Sequence, residues 1–392
     1  YMLRVYSDHI FNGYEFLENA GLVFDLNGKV LELSTAGSFD KSAYDYYPGL
    51  LVPGFVNAHC HLELSHLQNK VDSGTGLLPF LQSVVGLREI SEEEIQLAIM
   101  KADAQMVENG IVAVGDISNK SDTVACKLNS KIIYFNFIEA FDFMQEELTH
   151  QFFDKYFKTY QQYGDLRKSM VPHAPYSVTP ELFQLISQQN SESTVISIHN
   201  QEVLDEDQLF LYKQGGFLNF YQHFGFNLDS FNATGKTSIH YTLDHLDQRH
   251  NVLFVHNTMM KFEDILEVKS RFSNSFFVTC PNANLYIENR LPDYKLFMDA
   301  GVSMCIGTDS LSSNWSLSIL EELKAIQKYN GWIPLETLFS WATINGAKAL
   351  RMDDRFGSFE IQKNPGLNWI QNVEFIKGKL NLSRSAVVKK IL

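Results

Sequence analysis

The feature that most constrains the fold is a recurring pair of segments, in which a short apolar run is followed by an amphipathic, helix-like stretch. Stretches such as SEEEIQLAIMKADAQMVENG and SLSILEELKAIQKY lie between or after the apolar runs. Strands that alternate with helices indicate parallel βαβ units, and the eight units here predict an α/β protein with a (β/α)8 TIM-like barrel. The eight runs are LLVPGFVNA (50–58), IVAVGDI (111–117), KIIYFNFIEA (131–140), SMVPHA (169–174), TVISIHN (194–200), NVLFVHN (251–257), FFVTCPN (276–282) and VSMCIGTD (302–309).

A doubly wound open sheet is the alternative that also alternates strands with helices. Dinucleotide-binding sheets of that kind carry a G-x-G-x-x-G turn after their first strand. No such turn follows the first apolar run of this chain. The pattern therefore favours the barrel.

The two ends of the chain fall outside the eight units. Residues 1–50 contain GLVFDLNGKVLELS, in which NGK is a strong hairpin signal. The C-terminal segment GSFEIQKNPGLNWIQNVEFIKGKLNLS has the same pattern of strands and turns. Since chain termini often lie close together, we expect residues 1–50 and 360–392 to form one small β-sandwich domain beside a catalytic barrel domain at residues 51–359.

Charge and hydropathy exclude several classes of protein. The chain has 392 residues, a formal net charge of −14 and 45% hydrophobic residues, which is typical of a globular protein with a sizeable core. A negative surface does not attract nucleic acid or an anionic membrane, so neither is an expected partner. No apolar run reaches the ~18 residues of a membrane helix. The first residues, YMLRVYSDHIF, lack the basic and apolar regions of a signal peptide.

Cysteine usage indicates the redox compartment. Four cysteines are widely spread along the chain and form no C-x-x-C motif. We therefore expect a reduced, cytoplasmic protein without disulfides. Its expected partners are a small molecule and water, and a homodimer is compatible with the sequence.

The segment NAHCHLELSH (57–66) follows the first apolar run and contains three histidines and a glutamate. Successive strand residues point to opposite sides, so His59 and His61 share a side. At the carboxyl end of a barrel strand that side faces the mouth, where barrel enzymes have their active sites. Two imidazoles in this arrangement can bind one metal ion, and two solvated loop histidines are the alternative interpretation.

Four other apolar runs end on residue types that bind metals. His173 ends the fourth run, His199 the fifth, His256 the sixth and Asp309 the eighth. Histidine is uncommon, with 12 in the chain, and five of the 12 occupy such ends. Imidazoles with one carboxylate are a common ligand set for Zn²⁺ or another first-row divalent ion. The set predicts a metal site, although each histidine alone is compatible with a structural role.

Glu202 lies three residues after His199 in HNQE. If the chain turns towards a helix there, Glu202 reaches the site without being a ligand. A carboxylate beside an activated water can take its proton and pass it to a leaving nitrogen. The alternative is a surface glutamate in the acidic stretch QEVLDED (201–207).

Five segments resemble the amidohydrolase superfamily, most of all its cytosine deaminase, S-adenosylhomocysteine deaminase and triazine hydrolase branch. The resemblance spans roughly residues 50 to 350 in the expected order, and five ordered motifs make it specific. The segments are PGFVNAHCHLE, PHAPYSVTPEL, HNQE, CPNANLYIENRLP and GTDSLSSNWSLSILEEL.

The resemblance implies a role for each residue at a strand end. Glu202 would be the proton shuttle, His256 would hydrogen-bond the attacking water or polarise the substrate, and His173 would contact the substrate. Binuclear relatives use a carboxylated lysine at the end of strand four. This chain has VPHAPYS there, without lysine, so one divalent ion is expected, Zn²⁺ first and Fe²⁺ as the alternative. The implied metal ligands are His59, His61, His199 and Asp309.

The resemblance also implies a reaction. Water attacks an sp² carbon that bears an exocyclic amine, Glu202 protonates the adjacent ring nitrogen, and His256 and Asp309 stabilise the developing charge. Ammonia leaves, so the expected function is hydrolytic deamination of an amino-substituted N-heterocycle, either purine nucleoside-like or pyrimidine- or pterin-like. The same residues would serve a ring-amide hydrolase or a chlorohydrolase, and a non-catalytic metal-binding barrel is the hypothesis from another class.

Residues in loops at the same mouth are the candidate substrate contacts. SLSSNWSLS (310–318) resembles deaminases of adenine-containing nucleosides, including aminodeoxyfutalosine deaminase. Glu63 is in phase with the paired histidines and could bind a substrate amino or hydroxyl group or only orient His61. The apolar loop at residues 77–80 could cover a flat ring or serve packing. The other candidates at the mouth are Tyr176, Asn284, Ser310, Asn314 and Trp315.

Overall fold

The structure, a computed structural model, describes residues 2–392. Its strands form a parallel set in the middle of the chain and a mixed set at the two ends. The parallel strands are β5 (Phe55–Cys60), β6 (Ile111–Ser118), β7 (Ile133–Ala140), β8 (Lys168–Pro172), β9 (Val195–Asn200), β10 (Asn251–His256), β11 (Ser275–Thr279) and β12 (Ser303–Ile306). The strands at the ends are β1 (Leu3–Phe11), β2 (Phe16–Phe24), β3 (Val30–Ser34), β4 (Asp45–Val52), β13 (Asn368–Ile376) and β14 (Lys379–Lys390).

The α-helices of this range connect or flank the strands, and a π-helical turn at residues 341–345 joins the last two. No helix in residues 2–392 combines the length and the apolar character that crossing a bilayer requires. The helices are α1 (Leu77–Leu87), α2 (Glu92–Glu108), α3 (Val124–Asn129), α4 (Thr149–Gln162), α5 (Pro180–Gln189), α6 (Leu204–Tyr212), α7 (Gly216–His223), α8 (Ser238–His245), α9 (Phe262–Arg271), α10 (Pro281–Glu288), α11 (Tyr294–Ala300), α12 (Ile319–Tyr329), α13 (Leu335–Ser340) and α14 (Gly346–Ala349).

The parallel strands form two four-stranded sheets, in the orders β5-β6-β7-β8 and β9-β10-β11-β12. Hydrogen bonds link the two sheets at both of their edges. His199 N donates to the His173 carbonyl at 2.9 Å, and Asp309 N donates to the His59 carbonyl at 3.0 Å. The strands are nearly continuous apolar runs because both faces are covered. Since all strands of each sheet run parallel, their carboxyl ends share one edge.

The two ends of the chain contribute to one six-stranded mixed sheet, in the order β14-β13-β4-β1-β2-β3. Phe11 of β1 joins the large core, with its ring centroid 5.7 Å from that of Phe339 in α13. Phe24 of β2 belongs to a separate small core and packs against Phe359. The strands of the two chain ends therefore form one hydrogen-bonded sheet, whose apolar residues pack against α13 and against the segment around Phe359, and the sandwich arrangement stays a prediction.

The first apolar run forms two strands rather than one. Leu50, Leu51 and Val52 end β4 in the mixed sheet, whereas Phe55 begins β5 in a parallel sheet. Pro53 and Gly54 separate the two strands. A Cβ at Gly54 would lie 2.3 Å from Val112 Cγ1, so only glycine fits this close approach. The junction between the two sheets therefore lies a few residues later than the boundary predicted at residue 50.

Candidate active site

The carboxyl ends of the parallel strands bring together polar side chains that are far apart in the sequence. These side chains lie at or just beyond strand ends, and most are buried. We call this set the cavity cluster, and its members are His59, His61, His199, Glu202, His256 and Asp309.

Four atoms of the cavity cluster have the spacing of metal ligands. His61 Nε2 lies 3.2 Å from His59 Nε2, 3.3 Å from His199 Nε2 and 3.3 Å from Asp309 Oδ1. His59 Nε2 lies 3.6 Å from Asp309 Oδ1. A tetrahedral ion with bonds of about 2.0–2.1 Å separates its ligand atoms by about 3.3–3.4 Å. The four side chains can therefore hold one first-row divalent ion.

The protonation states of these residues leave lone pairs on the atoms that face one another. His199 Nδ1 donates to the His173 carbonyl at 2.9 Å, so His199 Nε2 carries a lone pair. Burial lowers the pKa of His59, His61 and His199, which keeps the imidazoles neutral. Burial alone would raise the pKa of Asp309, but the facing imidazoles of His59 and His61 outweigh it and hold that pKa well below its usual range. Neutral imidazoles with an ionised carboxylate suit a divalent cation.

Strained backbone accompanies the cavity cluster. Gln201, His256 and Asp309 have φ of 41°, 75° and 57°, in the left-handed region that residues other than glycine seldom adopt. Ser313 Oγ donates to Asp309 Oδ2 at 2.8 Å and so fixes the carboxylate oxygen that does not face the histidines. Such strain persists where surrounding contacts over-determine the backbone, and it concentrates at functional sites.

Glu202 faces the histidines from the start of the segment that leads to α6. Only 5% of the residue is exposed, and its Oε1 lies 3.7 Å from His256 Nε2. Burial, reinforced by the charge of Asp309, raises the pKa of Glu202 well above its usual value. This environment favours the protonated form of Glu202, which is not a surface residue.

Glu206, in the same acidic stretch, is also fully buried. Its carboxylate accepts hydrogen bonds from Gln201 N at 3.0 Å, from Glu202 N at 3.3 Å and from Ser238 Oγ at 2.6 Å. Glu206 thus fixes the backbone that carries Glu202. The charge pattern of QEVLDED suggests a solvated face, but the backbone amides and hydroxyl explain why the carboxylate is inside.

A narrow cavity of about 70 Å³ opens onto the cavity cluster. Three of the candidate substrate contacts, His173, Tyr176 and Ser310, line it. The opposite wall is apolar, and α1 supplies most of it. The apolar residues of this wall are Leu64, Leu77, Phe80, Leu81, Val84 and Ile287.

Glu63, a candidate substrate contact, has other partners. Its carboxylate pairs with Arg88 and accepts from the backbone N–H groups of Asn119 and Lys120 at 3.1 Å. The strand phase that placed it beside His61 fails because the chain leaves β5 for a 3-10 helix at residues 62–67. We therefore correct Glu63 to a structural residue.

Asn314 is likewise occupied by protein partners. Its Nδ2 donates to the Thr308 carbonyl at 2.8 Å and to Glu322 at 2.7 Å. Both bonds hold the loop after β12 in place, so we correct Asn314 from a substrate contact to a loop-positioning residue. Trp315 is 55% exposed and lines a different, open groove.

Glu139, near the end of β7, is a residue of the site that the strand-end pattern did not predict. Its Oε2 lies 3.4 Å from His199 Nδ1, and its Oε1 accepts from Asn119 Nδ2 at 3.1 Å. Burial raises the pKa of Glu139 to about 7. The sequence does contain a signal for Glu139: it lies at the end of the third apolar run, in FIEA, as His173 lies at the end of the fourth.

Comparisons with known proteins agree with this geometry. Residues 50–387 match the model of the amidohydrolase family. The adenosine deaminase of Helicobacter pylori is 32% identical over 365 residues, covering 90% of this chain and 87% of the relative. The aminodeoxyfutalosine deaminase of Nitratiruptor sp. is 27% identical over 282 residues, covering 70% of this chain and 67% of the relative.

Structural similarity extends over nearly the whole chain. The crystal structure of Helicobacter pylori aminofutalosine deaminase with methylthio-coformycin superposes with a TM-score of 0.79 and 27% sequence identity. The superposition covers 97% of this chain and 100% of that one. Together with the match of the family model over residues 50–387, it leads to one conclusion: this chain belongs to the amidohydrolase family.

Proposed function

We propose that this protein is a metal-dependent hydrolytic deaminase of purine nucleoside-like substrates, which replaces an exocyclic amine by a ring carbonyl and releases ammonia. The observation that carries the proposal is Glu202, a buried acid that lines one cavity together with three of the four proposed metal ligands. Relatives at 32% and 27% identity, named as deaminases of adenosine and of aminodeoxyfutalosine, support the substrate class.

Amidohydrolases are metal-dependent, and the donor set fits one ion, for which we propose Zn²⁺ with Fe²⁺ as the alternative. When bound, such an ion supplies Lewis acidity that lowers the pKa of a water from ~15.7 towards ~7. The residues that would hold it are His59, His61, His199 and Asp309.

Glu202 is the proposed proton shuttle. Its raised pKa lets the carboxyl group carry a proton, which it gives to the ring nitrogen next to the carbon under attack. Asp309 remains ionised and stabilises positive charge next to its carboxylate. Ser313 Oγ donates to Asp309 Oδ2 and so holds the carboxylate in place. Water adds to the amine-bearing carbon and leaves one proton on the Glu202 carboxylate, which restores the acid. The remaining hydroxyl proton passes to the amino group as the carbon–nitrogen bond breaks, so that ammonia leaves and a ring carbonyl forms.

The apolar wall formed by α1 suits the face of a flat ring, and His173, Tyr176 and Ser310 are the proposed polar substrate contacts. Small-molecule pockets usually measure about 300 Å³ or more, whereas this cavity measures about 70 Å³. We therefore propose that α1 moves outward when substrate binds. Gly74 and Gly76, with φ of 73° and 85°, precede α1 and permit such a movement.

We further propose that the two parallel sheets close into one (β/α)8 barrel, with the chain ends forming a separate small β domain. The hydrogen bonds at both edges of the sheets support closure, and the pairing of β13 with β4 supports the second point. A crystal structure with a gap between β8 and β9 or between β12 and β5 would contradict the barrel.

The proposed function is tested by ammonia release from zinc-loaded protein. Adenosine, 5′-deoxyadenosine, 5′-methylthioadenosine and S-adenosylhomocysteine are the expected substrates, and a cyclic amide and a chlorotriazine are the comparison compounds. Ammonia and a ring carbonyl are expected from at least one nucleoside. Turnover of the comparison compounds alone would assign a ring-amide hydrolase or chlorohydrolase, and no turnover of any compound would favour a metal-binding protein without this activity.

A further inference from the structure

His256 is held at only one of its two ring nitrogens. The residue ends β10 with 1% exposure, and its Nε2 points to the cavity, 3.7 Å from Glu202 Oε1. Its Nδ1 lies 3.0 Å from Asn284 Nδ2. The ring stacks on that of His199, at a centroid distance of 5.5 Å and an interplanar angle of 20°. What His256 does in the cavity therefore depends on which nitrogen carries the proton of the neutral ring.

Asn284 is itself fixed from several sides. It is 2% exposed and lies in α10, which begins directly after Cys280 with proline at its first position. Asn284 N donates to the Cys280 carbonyl at 2.9 Å, and the preceding turn is held by Glu322, which accepts from Asn282 N at 2.8 Å. The amide therefore meets His256 in a fixed position.

The chemistry of an amide determines the tautomer. An amide nitrogen only donates hydrogen bonds, so a neutral imidazole must accept at Nδ1 and carry its proton on Nε2. In this orientation Asn284 Oδ1 is the amide atom without a partner. The reversed orientation would place both N–H groups where the amide makes no hydrogen bond in this structure, and unpaired buried N–H groups are rarer and less favourable than under-satisfied carbonyl oxygens.

We propose that Asn284 is a positioning residue that fixes His256 as the Nε2–H tautomer, so that His256 donates a hydrogen bond into the cavity and is not a metal ligand. His59, His199 and His256 are close enough together to bind a cation jointly, but an Nε2 that carries a proton has no lone pair for one. The donor role in turnover rests on the proposed deaminase function, whereas the tautomer does not.

The tautomer is measured by long-range ¹H–¹⁵N NMR of the zinc-loaded protein labelled with [¹⁵N]histidine. The signal of His256 is identified by its loss in His256→Gln. We expect a protonated Nε2 and an unprotonated Nδ1. A proton on Nδ1 of the neutral ring, or a zinc-bound Nε2, would overturn the proposal. The variant serves only to assign the signal, and the tautomer itself is read from the wild-type spectrum.

The consequence for catalysis is tested with Asn284→Leu. One positioned donor is worth about 10²–10³ in kcat, and part of the variant population keeps the productive tautomer, so we expect kcat to fall ~10-fold or more. KM and zinc content should stay near their wild-type values.

The matched control is Asn190→Leu. Asn190 is also buried, and it bonds the backbone of Met170 in β8 at 3.2 and 2.7 Å, whereas neither residue lines the cavity. This variant should lose stability without losing kcat. Equal kcat in the Asn284→Leu variant and the wild type would overturn the donor role. If no amino-heterocycle is turned over by wild-type protein, the deaminase function fails while the NMR result still decides the tautomer.

Discussion

Two buried groups of polar side chains adjoin the carboxyl end of β5. One is the cavity cluster, and the other we call the Lys127 cluster. Cys60, between the paired histidines, faces Asp116 in the register of β5 and β6. Lys127 Nζ lies 2.5 Å from Asp116 Oδ2, and Asp116 Oδ1 accepts from Leu62 N at 2.8 Å. The remaining members of the Lys127 cluster are Ser118 and the rings of Tyr134 and Tyr163.

The two groups differ in how their polar atoms are satisfied. In the Lys127 cluster the ammonium meets a carboxylate, a hydroxyl and two aromatic faces, so its charge is compensated by the protein. In the cavity cluster lone pairs of imidazoles and a carboxylate are directed at one another. Buried polar groups are normally paired, so a set of facing lone pairs supports the proposed cation site. A compensated set contributes to the fold instead.

The largest effect should follow from removing a metal ligand. We expect His61→Ala and Asp309→Ala to bind zinc more than ~100-fold more weakly, since even the partners of ligands are worth about 10–100-fold in metal affinity. Zinc content after dialysis, measured by atomic emission, checks this. The control His150→Ala removes an exposed histidine and should retain zinc. Undiminished zinc content in both variants would contradict the assignment of His61 and Asp309 as metal ligands.

The next largest effect is expected from Glu202→Gln. Glutamine keeps the size of the side chain but cannot relay a proton, and a positioned acid or base contributes about 10²–10⁴ in rate. We expect kcat to fall by that factor while zinc content is unchanged. Glu192→Gln, at an exposed loop position, is the control. Equal kcat in the two variants would contradict the role of Glu202 as proton shuttle.

Glu206→Gln would be a poor control for Glu202→Gln, because Glu206 is buried and hydrogen-bonded, which its acidic sequence context does not indicate. The acidic stretch suggests solvent exposure, yet Glu206 bonds two backbone amides and Ser238. Those partners come from the turn after β9 and from α8, which no local pattern links. The substitution leaves one amide without its acceptor, and we expect an effect on kcat between those of Glu192→Gln and Glu202→Gln.

The grouping of the strand-end residues could be predicted from the sequence, because the carboxyl ends of parallel strands lie at one edge of a sheet. The family could be predicted as well. The family prediction from five ordered motifs is confirmed by the match over residues 50–387. The metal and catalytic roles remain predictions. Glu63 and Asn314 could not be placed, because their partners Arg88 and Glu322 lie in segments whose packing is not local.

The Lys127 cluster gives a prediction about stability. Lys127→Met leaves Asp116 as an unpaired buried charge, which costs about 3–5 kcal/mol. We expect the free energy of unfolding, measured in urea, to fall by that amount, with zinc stoichiometry unchanged. Lys101→Met removes an exposed lysine and should be neutral. The double variant Asp116→Asn, Lys127→Met should recover much of the loss. If Lys127→Met and Lys101→Met have the same free energy of unfolding, the ion pair between Lys127 and Asp116 does not stabilise the fold.

The smallest effect concerns His250, a buried histidine outside both clusters. It is 2% exposed, and its Nδ1 accepts a hydrogen bond from Thr194 N at 3.0 Å. Burial lowers its pKa to about 4, and Arg249 and Arg351 add to the shift, whereas Asp247 opposes it. The neutral ring is therefore the form that the folded protein accommodates.

The sign of the pH dependence follows from proton counting. An unfolded histidine titrates at about 6.5, so between pH 6.5 and the folded pKa of about 4 the unfolded chain binds more protons at this site. The free energy of unfolding therefore falls as the pH is lowered through this window. His250→Asn keeps an acceptor for Thr194 N without titrating. We expect the variant to lose about 1–2 kcal/mol less than wild type across the window, allowing for solvent screening.

Urea unfolding of metal-free protein at several pH values checks this, because the cavity histidines are common to both proteins and cancel in the difference. His223→Asn, at an exposed position that ends α7, should follow the wild-type slope. A His250→Asn variant with the wild-type slope would mean that the unfolded and folded proteins bind this proton equally well. In that case the hydrogen bond from Thr194 would be no stronger than the one that water gives to the unfolded chain.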